Sequence, residues 1–191
     1  MLILGSRLIS TPIMGLQTGT KLAETKNPVI DPGNLKIIAY EVSGKLLSDN
    51  PSFIRIADIR ELSDVGFIID SNDEFIGLDD VINLKKIYEL NFNLINHSVI
   101  DEIGRKLGKV CDYSLETDTF LIQQLNIKRN IIKSFNETNL LIHRTQIVEI
   151  NDKDIVVKSN TKKLHSIQHP SQLSYINPFR STVPQVENLE L

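Results

Sequence analysis

An internal repeat constrains this chain more than any other feature, because similar segments in the same order fold into similar units. Residues 54–62 (IRIADIREL) align without gaps on 142–150 (IHRTQIVEI), and the match continues from 63–69 onto 151–157. Upstream, Lys21-Leu22 matches Lys106-Leu107, and 29–42 matches 114–127. These matches define a first copy at 5–75 and a second at 94–159.

Within each copy, short runs rich in Ile and Val are bounded by turn residues at close spacing, the pattern of β structure. Asp31-Pro32-Gly33-Asn34 is a turn signal, with Pro32 fixing φ and Gly33 expected to take a positive φ. Residues 116–119 hold the same place in the second copy, and 151–154 separate a further pair of short strands. About five short strands per copy bury one face best by closing on themselves, so a small barrel is expected from each. Between the copies, at 76–93, Asp79-Asp80 precedes Val81, Leu84, Ile87, Tyr88 and Phe92. That spacing predicts one short amphipathic helix with acidic residues at its positive end. The two copies are expected to pack through this linker. From 160 to 191, prolines at 170, 178 and 184 break every period, which reads as an extended or disordered tail.

The segment 99–110 (VIDEIGRKLGKV), the hairpin after it and 141–147 (LIHRTQI) together resemble the PRC-barrel domain. That family opens on D-x-x-G-x-x-[IL]-G-x-V, follows with a β-hairpin and ends on a later strand pair. The first copy keeps the register in 19–24 (GTKLAE) but has Ala23 in place of the second glycine. The resemblance implies a mainly β protein of two small PRC-type barrels joined by a short helical linker. Family members carry the barrel on the cytoplasmic cap of a photosynthetic membrane complex and in a ribosome maturation factor, so it implies docking on macromolecules. The adjacent tyrosines of the maturation factor's barrel have no counterpart here.

Composition serves mainly to exclude. A chain of 191 residues, 41% hydrophobic and 24% charged, is neither collagen-like nor wholly disordered. A net charge of -3 supplies no chain-wide attraction for polyanions, so DNA is not an expected partner and any RNA role needs a local patch. One cysteine, Cys111, makes no internal disulfide. No apolar run approaches the roughly 18 residues that span a bilayer, and the opening lacks a secretory signal pattern, so a cytoplasmic protein without a transmembrane segment is expected.

Chemistry-bearing residues are scattered. His143 stands where Arg55 stands in the first copy, which favours a structural histidine over a catalytic base. His165 and His169 have helical ligand spacing, but Pro170 follows them and no third ligand lies near. Gly15, Gly19, Gly104 and Gly108 read as turn glycines and not as a phosphate loop. No catalytic residue, cofactor or metal is therefore assigned. Charge separates the copies: 5–75 carries seven basic and ten acidic side chains, whereas 94–163 carries eleven and nine. Arg105, Lys106, Lys109, Lys128, Arg129 and Lys133 are expected on turns or loops of the second copy, as one basic surface. Tyr175, Ile176 and Phe179 are candidate anchors in the tail. The expected function is that of a non-enzymatic scaffold or adaptor for a protein partner. The alternative is an RNA-linked factor in ribosome assembly or RNA metabolism, acting on RNA or a ribosomal particle through the basic surface.

Overall fold

A computed structural model of the chain describes residues 1–45, 47–129, 140–151 and 153–159. The first half holds β1 (Leu2–Leu4), β2 (Pro12–Gly15), β3 (Lys21–Asp31), β4 (Lys36–Ser43), β5 (Ser52–Arg55), β6 (Glu61–Ser63), β7 (Gly66–Ile69) and β8 (Ile76–Gly77). After the helix α1 (Ile82–Glu89) come β9 (Ser98–Asp101), β10 (Lys106–Glu116), β11 (Ile122–Lys128), β12 (Leu140–His143), β13 (Ile147–Ile150) and β14 (Asp154–Val157). The fold is mainly β, in two seven-stranded sheets. Among the described residues no helix is long and apolar enough to cross a membrane.

The sheets repeat one topology. Sheet one runs β6-β7-β2-β3-β4-β5-β8, and sheet two runs β12-β11-β10-β9-β14-β13. Each contains one parallel pair, β2 with β7 and β9 with β14, flanked by antiparallel neighbours. Their long hairpins share a register: Pro28 opposes Tyr40 where Tyr113 opposes Leu125, and Ile30 opposes Ile37 where Leu115 opposes Ile122. The bulges correspond too, falling between Val29 and Ile30 in one hairpin and between Ser114 and Leu115 in the other. Strands β5 and β12 lead into β6 and β13 through single 3-10 turns at Ile56–Asp58 and Arg144–Gln146. No ladder among the described residues joins β5 to β6 or β12 to β13, so neither sheet is a closed barrel there. The 3-10 turn separates the strands that would have to pair, and β8 takes the outer edge of β5.

The halves meet through their hairpins. Ile37 N–H donates to Phe120 O at 3.0 Å, and Ile122 N–H donates to Leu35 O at 2.9 Å. Lys36 and Leu121 form the bridge between these two bonds. The donors are equivalent in the repeat and so are the acceptors, which makes the contact self-complementary, as between the subunits of a two-fold dimer. Leu35 and Phe120 both take a left-handed conformation, with φ of 52° and 55°. The expected positive φ at Gly33 thus falls on Leu35 instead; Gly33 N–H is held by Asp31 Oδ1 at 2.9 Å within the turn. Burial accounts for the exchange, since Leu35 and Phe120 are almost fully buried and the apolar surface removed from water offsets the backbone strain. One continuous core follows, running from Leu8, Tyr40 and Phe67 to Tyr113, Phe120 and Ile142.

A second crossing escapes sequence reading. Strand β1 pairs with β10 of the other half, Leu2 opposite Glu116 and Leu4 opposite Ser114. Helix α1 lies where its spacing predicts and packs on the outside of sheet one, burying Leu84 against Val29, Ala39 and Phe53. Asn91, with φ of 50°, ends it, its N–H bonding Tyr88 O at 3.0 Å.

Candidate functional site

The opening motif of the second copy is used for structure. Asp101 is buried at the end of β9, and its carboxylate accepts from Ile103 N at 3.1 Å, Arg105 N at 2.9 Å and Arg105 Nε at 2.7 Å. Burial raises the pKa of this carboxyl, but the bonds and charge of Arg105 outweigh that and hold it below its ordinary range. Gly104 closes the turn with φ of 79°. At Gly108, φ is 148° and a Cβ would lie 2.3 Å from Lys128 O, so only glycine lets the strands approach this closely. In the first copy the glycine has changed strands. Ala23 stands at the place of Gly108, and the close approach is made by Gly44, where a Cβ would lie 2.7 Å from Leu22 O.

The basic residues are only partly gathered. Lys106, Lys109 and Lys128 lie in strands and not in turns, because β10 and β11 extend further than their polar ends suggest. Lys109 sits directly opposite Lys128, and the exposed Arg129 follows. Arg105 is in the turn, tied to Asp101. Lys133, Tyr175, Ile176, Phe179, His165 and His169 lie outside the described residues. At the matching places the first copy has Lys21, Glu24, Ser43 and Gly44, with Lys21 Nζ paired to Glu24 at 2.8 Å. The strip Lys106–Lys109–Lys128–Arg129 therefore belongs to the second sheet.

His143 and Arg55 share a role that explains their alignment: each stands at the N-terminal boundary of its 3-10 corner. Arg55 bonds Asp58, with Nε to Oδ2 at 2.5 Å and Nη2 to Oδ1 at 2.7 Å, and His143 Nδ1 lies 2.9 Å from Thr145 Oγ1. Cys111 is exposed on β10, 3.2 Å from Asn126 O. Among the described residues no cluster of His, Cys, Asp and Glu is arranged to hold a metal ion.

Two surface features remain. The first is a cleft of about 570 Å³ where the N-terminal 3-10 turn, β3, the end of α1 and β10 converge. Pro28, Tyr88, Phe92 and Leu94 give it apolar walls. Its polar groups include Glu41, Cys111 and Asp112 and the carboxamides of Asn27, Asn91 and Asn93, with no lysine or arginine among the described residues that line it. Asp112 is fixed by Ser6, whose N–H and Oγ donate to its two oxygens at 3.2 and 2.6 Å. Burial, with the Asp112 charge beside it, pushes the Tyr113 phenol far above its ordinary pKa, so it stays neutral. The second feature is the edge of sheet two. Leu141 on β12 is 59% exposed, whereas its counterpart Phe53 on β5 is buried under α1. No strand among the described residues covers the outer edge of β12, while β8 covers that of β5. Sequence alignment pairs Leu141 with Phe53 but cannot reveal that only one of them is covered.

No protein-family model matches the chain, and no curated protein matches it.

Proposed function

We propose that the chain is a non-catalytic docking protein built of two open PRC-type barrels, and that its protein partner pairs along β12. One observation carries the reading: among the described residues no strand pairs with the outer edge of β12, which holds an exposed leucine, whereas β8 and α1 cover the equivalent strand β5. An open edge offers unpaired backbone groups to an added strand, and an apolar side chain beside it supplies contact area. The polar residues of the family-like motif support the same reading, since Asp101, Gly104, Arg105 and Gly108 serve the turn and the strand crossing.

The test is capture of a partner by tagged full-length protein from its native cells, after cross-linking. A stoichiometric protein partner should be recovered by the wild type and lost with Leu141→Lys, at an unchanged melting temperature. Undiminished capture by the variant would remove β12 from the reading. Reproducible turnover of a defined small substrate, abolished by one polar substitution, would end it altogether.

A second reading rests on the basic strip. Lys109 opposite Lys128, followed by Arg129, suits a phosphate backbone and supports a role with RNA or a ribosomal particle. Co-sedimentation with ribosomal particles that weakens steeply with salt, and weakens again in Lys109→Ala, would favour it over the first.

A further inference from the structure

The cleft is independent of both readings, and its lining has a definite chemical preference. Its volume of about 570 Å³ falls in the range of small-molecule sites. Two carboxylates line it, Glu41 and Asp112, and Lys26 Nζ, outside the lining, stands 3.8 Å from Glu41 Oε1. Asp112 receives its bonds from neutral donors, Ser6 N, Ser6 Oγ and Tyr113 N, so these contacts do not neutralise its charge. Glu41 Oε2 accepts from Asn27 Nδ2 at 3.2 Å, another neutral donor. An anionic ligand would meet repulsion from both carboxylates, and no cationic side chain among the described lining residues would offset it. A cation would find two carboxylates together with the half-buried rings of Tyr88 and Phe92, whose faces attract positive charge.

We propose that this cleft binds a small organic ammonium ion, its cationic group drawn by Glu41 and Asp112 and its apolar body lying against Pro28, Tyr88 and Phe92. The carboxamides of Asn27, Asn91 and Asn93 at the rim supply hydrogen bonds that orient it. The site is composite. It takes Asn27 and Glu41 from the first half, Tyr88 and Phe92 from the linker and Asp112 from the second half.

The experiment is a titration of isotope-labelled full-length protein followed by backbone amide shifts, with phenethylammonium as the probe and phenethyl alcohol as its neutral counterpart. Saturable shifts should appear at Asn27, Tyr88, Asn91 and Cys111, with the alcohol about tenfold weaker. Glu41→Gln should weaken the ammonium about fivefold and leave the alcohol unchanged. No saturable shift by about 10 mM, a range in which a fragment of this size should bind, would overturn the proposal. Equal affinity for the two probes, or shifts confined to surfaces away from the cleft, would do the same. The comparison of probes on the wild type needs no variant, so it stands even if Glu41→Gln fails to fold. Tighter binding of Nα-acetyl-lysine methylamide than of phenethylammonium would reassign the site from a free ligand to a side chain on a peptide.

Discussion

Three glycine-to-alanine substitutions separate backbone strain from steric contact at the strand crossing. At Gly104 an alanine would adopt φ of 79° with nothing within 4 Å of its Cβ, so strain is the only cost. That amounts to about 1–2 kcal/mol. At Gly44 no left-handed conformation is required, but the Cβ would stand 2.7 Å from Leu22 O and 3.1 Å from Ala23 Cβ. Backbone atoms cannot swing aside as a flexible side chain does, so the strands must separate, at about 1–3 kcal/mol. At Gly108 both costs apply, with φ of 148° and Lys128 O only 2.3 Å away. The sum is about 2–5 kcal/mol, or a melting temperature lower by roughly 4–20 °C at this chain length. Urea denaturation of each full-length variant, with m held to the wild-type value, reads the difference directly. The order should be Gly108→Ala, then Gly44→Ala, then Gly104→Ala. If Gly108→Ala falls within about 1 kcal/mol of Gly104→Ala, the Lys128 carbonyl is no obstacle and the account of the motif's second glycine fails.

Other substitutions probe the core and the turn. Tyr40 has a fully buried hydroxyl with no hydrogen-bond partner among the described residues, so Tyr40→Phe should leave stability unchanged or raise it by about 1 kcal/mol in the same titration; a loss of that size would contradict the orphan hydroxyl. Phe67 packs its ring 5.8 Å from Tyr40 and 6.0 Å from Phe120 of the other half, and Phe67→Ala should cost about 3–5 kcal/mol and destabilise both halves in one transition. Two separate transitions would show that the halves do not share a cooperative core. Asp101 has a carboxyl pKa lowered in the fold, so its charged form stabilises the protein above the ordinary value of 3.8, and that contribution is lost as pH falls through the lowered native value. Melting curves of wild type and Asp101→Asn should therefore differ most near neutral pH and converge in acid.

What the sequence makes legible is what one strand decides by itself. The hairpins over 29–42 and 114–127, the turn at 151–154 and the short helix α1 all depend on near neighbours. The pairing that joins the halves does not. Gly33 is the residue that turn chemistry selects for a positive φ, yet Leu35 adopts it, because its neighbours' backbone groups must meet those of the other hairpin. Ala23 looks like the loss of a motif glycine until the facing strand is known, and then Gly44 is seen to restore the space. Strand β1 precedes the repeat and has too few residues to show a period, so only its ladder with β10 reveals its place. The cleft draws residues from five separate stretches, and no local pattern links Glu41 to Asp112.

The two halves agree in their interiors and diverge on their outer faces, and the divergence has a physical reason. Val29, Ala39 and Phe53 form an apolar outer patch on sheet one, and Leu84 of α1 covers it. The matching places on sheet two are Ser114, Gln124 and Leu141. Serine and glutamine remove most of the reason to bury that face, and among the described residues no helix covers it, while the interior residues of the second sheet are as fully buried as those of the first. Leu141 is the exception. A leucine on an exposed edge strand adds nothing to the core and increases the risk of unwanted strand pairing, which polar substitutions elsewhere on the face reduce. Fold stability alone would favour a polar residue there. A partner that adds a strand to β12 would bury the side chain and close the edge together, which gives the leucine a reason that the isolated fold does not supply.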